Sequence, residues 1–155
     1  MHLRLWRGTF IFLSSLASAS AAAMAPVPSN AYRLPTCVAQ AAADYSLPLR
    51  GLIALWLTEG GRVGTVSKNT NKTSDFGPMQ VNTVWARRLA RDFGVTEEHL
   101  TNDFCMSIRA GAYILRYEIN MAGGDFWEGV GHYHSRTPKF KYPYIQRVYQ
   151  NSLKF

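Results

Sequence analysis

Apolar residues recur at helical spacing through most of the chain beyond residue 36. Over 36–45, Cys37, Val38, Ala41, Ala42 and Tyr45 share one face, with Thr36 as the predicted cap. Ser46-Leu47-Pro48 interrupts that pattern, and Pro48 suits the first turn of a second helix ending at Glu59. The stretch 60–75 loses the apolar period. It is rich in Gly, Thr, Ser and Asn, which predicts a loop or a small irregular β-hairpin. Helical spacing returns over 83–93, stopped by Gly94, and Thr96 caps a short helix through Leu100. The longest predicted helix spans 103–121, with Phe104, Ile108, Gly111, Ala112, Leu115 and Ile119 inward and Gly123-Gly124 as its stop. Asp125 caps another short helix, and Thr137-Pro138 opens a last amphipathic one. Helix dominance with one polar β excursion predicts an α+β fold that is mainly α.

The N-terminal pattern differs. His2, Arg4 and Arg7 precede an apolar stretch over 9–16, and small residues follow through Ala23. That layout predicts a cleaved export signal over 1–23. The apolar part is about half the roughly 20 residues of a membrane-spanning helix. No integral membrane segment is expected after cleavage. Pro26, Pro28 and Pro35 mark 24–35 as an extended lead-in, and 36–155 is expected to form one domain.

Charge narrows the partners. The full chain carries +7, and removal of Arg4 and Arg7 with the signal leaves 15 basic against 10 acidic residues, or +5. A basic exported domain is drawn to anionic surfaces such as cell-wall glycan or phospholipid headgroups. Its basic residues are scattered, with no arginine-rich recognition helix, so nucleic acid is not an expected partner. Two cysteines in an exported chain point to one disulfide, Cys37 to Cys105, with a free pair as the alternative. No His or Asp stands at ligand spacing from either, which argues against a metal site. His132 and His134, two apart and without an evident carboxylate partner, are not expected to bind metal either. Glu118 and Glu128 are expected on solvated faces, and Glu97 and Glu98 sit where acidic residues suit a helix N-terminus.

Glu59 is the candidate for chemistry. It closes the most apolar helical run of the chain, from Leu49 to Leu57, and two glycines follow it. Apolar surroundings raise a carboxyl pKa, and the partial negative charge of a helix C-terminus acts in the same direction. A carboxylic acid that keeps its proton near neutral pH is what glycosidic bond cleavage requires of a general acid.

Glu59, the polar loop after it and Gly77-Pro78-Met79-Gln80-Val81-Asn82 together resemble the lysozyme-like superfamily. The closest resemblance is to small single-domain lytic transglycosylases that accompany secretion, pilus and conjugation machinery. Their Gly-Leu-Met-Gln-Ile-Asn and Gly-Ala-Tyr-Asn-Ser-Gly motifs are matched in order by residues 77–82 and by Gly131-His132-Tyr133-His134-Ser135-Arg136. The paired cysteines and Ala110-Gly111-Ala112-Tyr113 also fit. The resemblance implies a lysozyme-like fold with a helical core and a short irregular β-hairpin beside the active-site cleft. It implies cleavage of peptidoglycan between N-acetylmuramic acid and N-acetylglucosamine in the periplasm, near components of an envelope-spanning complex. Neither a cofactor nor a metal is implied.

Carried over by residue, Glu59 is the catalytic acid, Gln80 and Asn82 line the glycan groove, and Tyr133 orients the Glu59 carboxyl. Tyr144 is a further groove candidate, as a ring that stacks on a sugar or simply packs. The segment Ser74-Asp75-Phe76-Gly77 also resembles c-type lysozymes and makes Asp75, sixteen residues after Glu59, a candidate second carboxylate. A retaining glycosidase needs two carboxyls about 5–5.5 Å apart, one protonated and one ionised. An Asp ahead of a Gly-Pro turn also suits a purely structural role, and Gln80 and Asn82 equally suit backbone satisfaction. The alternatives to a transglycosylase are a hydrolytic muramidase using Glu59 and Asp75, or a non-catalytic glycan-binding component. The chain departs from the motifs at Gly60, where the family has serine, at Pro78, and at His134 and Arg136.

Overall fold

Side-chain caps set most helix starts in the computed structural model, which describes residues 34–155. The order is α1 (Thr36–Asp44), α2 (Leu49–Glu59), β1 (Val66–Lys68), β2 (Ser74–Phe76), β3 (Val81–Asn82), α3 (Thr83–Phe93), α4 (Glu97–Asn102), α5 (Phe104–Met121), α6 (Phe126–His134) and α7 (Pro138–Ser152). The fold is α+β and mainly helical, as expected. The export signal and nearly all of the lead-in lie outside the described residues.

Asn82, Thr96, Asp103 and Asp125 each accept a backbone N–H in the first turn of α3, α4, α5 and α6. These bonds satisfy donors that a helix start leaves open. Two starts differ from expectation. Thr36 lies inside α1, because Pro35 takes the cap position and its carbonyl accepts from the Val38 N–H. Pro48 likewise precedes α2 rather than opening it, and accepts from the Leu52 N–H.

The core sits between α5 and the helices around it. Leu52 and Leu55 of α2, Ile108 and Leu115 of α5, Val130 of α6 and Val148 of α7 are fully enclosed. At about 25 cal/mol per Å² of apolar surface withdrawn from water, burial of such side chains is the main stabilising force. α5 packs against α1, α4 and α6, while α2 packs along α7. The disulfide between Cys37 and Cys105 joins α1 to the start of α5, with Cα atoms 5.7 Å apart and a sequence separation of 68. The Arg116 guanidinium donates to the carbonyls of Tyr45 and Ser46 and so closes the turn between α1 and α2.

The β region is larger than the hairpin expected over 60–75. Three antiparallel strands run β1-β2-β3, with Ser67 opposite Asp75 and Asp75 opposite Asn82. Gly77 and Gln80 make the β2–β3 turn possible by adopting left-handed backbone, with φ of 63° and 45°. Phe76, Met79 and Val81 point down into the core, and Met79 lies against Gly111, where a Cβ would fall 2.4 Å from its Cε. α4 holds the sheet by its main chain. The Gly64 N–H donates to the Thr101 carbonyl at 2.8 Å, and Gly77 is so close to Leu100 that a Cβ there would lie 1.9 Å from the Leu100 carbonyl oxygen. No helix among the described residues is long and apolar enough to cross a membrane.

Candidate active site

The apolar run that makes α2 a buried helix also carries its last residue, Glu59, to the floor of a polar cleft. Gly60 follows with φ of 65°, and its N–H donates to the Trp56 carbonyl. Left-handed backbone of this kind is natural for glycine, which accounts for Gly60 at the position where the resembled family has serine. The cleft measures about 280 Å³ and is bordered by α2, the sheet with its β1–β2 loop, and the end of α6. Glu59, Asp75, Gln80, Asn82 and Tyr133 all open onto it, so it brings together five of the six residues expected to serve catalysis or substrate. A larger hollow of about 410 Å³ between Tyr45, Phe93, Met106 and Tyr113 is apolar and contains no carboxylate, so it does not suit acid chemistry on a sugar.

The Glu59 carboxyl is pushed up from 4.5 to about 7. Burial is the main cause, since the ionised form loses its hydration. The negative charge of Asp75 adds to the rise, while a hydrogen bond from Tyr144 and the positive charge of Arg147 oppose it. A little of the residue's surface still meets solvent, so the carboxyl is sheltered but reachable from the cleft.

Tyr144 corrects one expectation and part of another. Its ring is 2% exposed and cannot be a sugar platform. Its hydroxyl instead donates to Glu59 Oε1. The orienting bond expected of Tyr133 is thus made from α7. The Tyr133 hydroxyl donates to the Met79 carbonyl at 2.9 Å, pinning the β2–β3 turn while the residue lines the cleft. Burial and the nearby charge of Glu59 hold both phenols well above their usual range, with Asp75 adding to the rise at Tyr133, so each stays a donor. Next to Glu59, the Asn151 amide donates to Thr58 Oγ1 at 2.9 Å, a second tie from α7 to the end of α2.

Asp75 projects from β2 and both its carboxylate oxygens are engaged. Asn69 donates to one at 2.9 Å and Asn82 to the other at 2.7 Å. Both amides also donate to Thr73 Oγ1, whose own proton goes to Asn71. Asn82 in addition caps α3 through its oxygen, so its structural and cleft positions coincide. Gln80 donates to the Gly77 carbonyl and accepts from Ser67, bracing the turn from inside the cleft. The sequence reading noted the polar character of the loop but did not single out Asn69, Asn71 or Thr73. Strand alternation, which aims Asn69 and Asp75 toward one face, was the available signal.

His134 also lines the cleft, and no role was expected of it. Burial and the charge of Arg147 push its imidazole below 6.5, against the pull of Asp75. His132, two residues earlier, faces the other way. Contrary to expectation it has carboxylate neighbours, with Glu128 3.5 Å and Glu118 3.9 Å away. Glu118 is itself buried rather than solvated, because Arg136 reaches it with a 2.5 Å bond. Among the described residues no group of three or more His, Cys, Asp or Glu side chains is gathered closely enough to hold a metal ion.

Fold and cleft together define the class as a lysozyme-like α+β domain whose cleft carries a sheltered carboxyl with a raised pKa. Residues 36–141 match the family described as "Transglycosylase SLT domain", and the chain belongs to that family. Relatives agree. The chain is 34% identical to "Protein IpgF" of Shigella flexneri over 76% of its own length and 80% of that protein's. It is 30% identical to "Invasion protein IagB" of Salmonella typhimurium over 76% of both chains. It is 33% identical to "X polypeptide" of Escherichia coli over 74% of its length and 70% of that protein's.

Proposed function

We propose that this chain is a peptidoglycan lytic transglycosylase, with residues 1–23 as its export signal to the periplasm and 36–155 as its catalytic domain. The carrying observation is the Glu59 carboxyl, held in a polar cleft with a pKa of about 7. At neutral pH about half of the molecules then hold the proton that the departing sugar oxygen needs.

Glu59 gives its proton to the glycosidic oxygen as the bond from the anomeric carbon of N-acetylmuramic acid breaks. Positive charge develops on that sugar, and the Asp75 carboxylate across the cleft stabilises it. The C6 hydroxyl of the same sugar attacks the anomeric carbon and returns its proton to Glu59. The product is a 1,6-anhydro end, and the acid is restored without consuming water. Tyr144 steadies the carboxyl throughout. Gln80, Asn82 and Tyr133 present amide and phenol groups along the groove that receives the glycan.

A second reading, hydrolysis, draws support from Asp75. Its two oxygens are held by Asn69 and Asn82 in the cleft that also holds Glu59, so an oriented second carboxylate is available to a muramidase mechanism. A third, in which the domain only binds glycan, predicts sacculus binding without cleavage.

Mass spectrometry of soluble fragments released from purified sacculi separates the three. Anhydro ends are expected. Fragments heavier by one water would establish the hydrolase, and bound but intact sacculi the binder. Undiminished cleavage by Glu59→Gln would remove the acid from the mechanism. The proposed setting is local wall opening beside an envelope-spanning secretion, pilus or conjugation complex. The motif resemblance supports it, and so does similarity to a protein named for invasion.

A further inference from the structure

His134 is the cleft residue that the mechanism leaves without a task. It stands at the C-terminal end of α6, and its ring lies flat on Tyr144 with centroids 4.5 Å apart and planes within 4°. Tyr144 in turn donates its hydroxyl to Glu59 Oε1. A chain of contact therefore runs from the cleft rim, through two rings, to the acid. Arg147, one turn along α7 from Tyr144, lies over the phenol at 5.5 Å. The charged groups around His134 are thus Arg147 on α7, and Asp75 and Glu59 on the opposing walls.

We propose that His134 is a positioning residue that fixes the Glu59 carboxyl by holding the Tyr144 ring in place. The phenol has one rigid plane and two side-chain torsions, so a flat neighbour against its face limits the swing that would carry the hydroxyl off the carboxyl. An aliphatic side chain at 134 supplies no matching plane. His134 stands at the cleft rim with part of its surface in solvent, so its replacement leaves the core intact.

This inference rests on Glu59 as the acid, and its test reads that residue directly. The ionisation midpoint of a ¹³C-labelled Glu59 carboxyl is followed by NMR in the wild type, His134→Ala, His134→Phe, Tyr144→Phe and the His134→Ala/Tyr144→Phe pair. Cleavage of soluble glycan strands is measured in parallel. In His134→Ala the Tyr144 hydroxyl leaves the carboxyl for part of the time, and because that hydrogen bond holds the carboxyl down, the Glu59 midpoint rises above about 7. The same variant loses about fivefold in kcat with KM little changed, the scale of one aromatic contact. His134→Phe keeps a flat ring and restores both. Adding His134→Ala to Tyr144→Phe shifts the midpoint far less than adding it to the wild type, because the held hydroxyl is already gone.

Equal damage from His134→Phe and His134→Ala, expressed in KM, would overturn the proposal and make the imidazole nitrogens a glycan contact. A full His134→Ala shift in the Tyr144→Phe background would also overturn it, since the effect would then bypass the phenol. If the wild type leaves glycan uncut, the transglycosylase reading fails, while the NMR midpoints still decide whether positions 134 and 144 act on the carboxyl.

Discussion

Replacing Glu59 with Gln should stabilise the protein, and the gain should depend on pH in a way fixed by the burial of the carboxyl. The side chain holds its proton with a pKa of about 7 when folded, against 4.5 as its ordinary value. A raised folded value means that the folded state binds the proton more tightly than the unfolded chain. The resulting stability is fully present below about pH 4.5 and is lost progressively as pH climbs through 7. Linkage gives a penalty to the wild type near zero at pH 4, about 2 kcal/mol at pH 6 and about 3 kcal/mol at pH 8. Gln is nearly the same size and can accept the Tyr144 hydrogen bond, but it never ionises, so it escapes this penalty. Urea unfolding of both proteins at these three pH values measures the difference, and all other titrating groups cancel between them. At pH 8 the melting temperature of the variant should be higher by roughly 10 °C. A difference that stays flat from pH 4 to pH 8 would refute the reasoning, because the carboxyl would then ionise alike in the folded and unfolded chains.

Asp75→Asn removes a negative charge that helps to raise the Glu59 pKa. The alkaline limb of the pH–rate profile should therefore move to lower pH by less than about one unit, since burial is the larger cause. Gly77→Ala forces a Cβ into the Leu100 carbonyl and leaves alanine at φ 63°, so urea denaturation should show a loss of about 3 kcal/mol or more. Reduction of the Cys37–Cys105 bridge frees a loop of 68 residues, and a thermal melt with reductant should report a loss of about 2–4 kcal/mol. The bridge lies away from the cleft, so glycan cleavage well below the reduced protein's melting temperature should persist.

Helices were legible wherever a local signal marked their ends. Thr96, Asp103 and Asp125 cap within three residues, and Gly94 stops α3, so periodicity and termini agreed. The sheet was legible only in part. β3 has two residues, too few to show alternation, and Gln80 enters left-handed backbone without glycine to announce it. Glu118 misled through its charge. It falls on the helix face of Gly111 and Leu115, and spacing alone would have turned it inward. Its partner Arg136 comes from beyond α6, and that pairing permits the burial. The cleft residues of the motif segments were found because they are contiguous in sequence. Tyr144 was named for the wrong task, since its bond to Glu59 spans 85 positions and depends on how α7 packs along α2.

The hold of α4 on the sheet bears on how freely relatives of this domain can diverge. Glu59 and Asp75 stand on separate walls of the cleft, one on a helix and one on the sheet. Only main-chain atoms of Leu100 and Thr101 meet Gly64 and Gly77 in the contacts that seat the sheet wall. A carbonyl is common to every amino acid, so the spacing of the jaws survives substitution at the exposed Glu97, Glu98 and His99. Evolution can redecorate the outer surface of α4, for a new neighbour or none, and the cleft keeps its gauge.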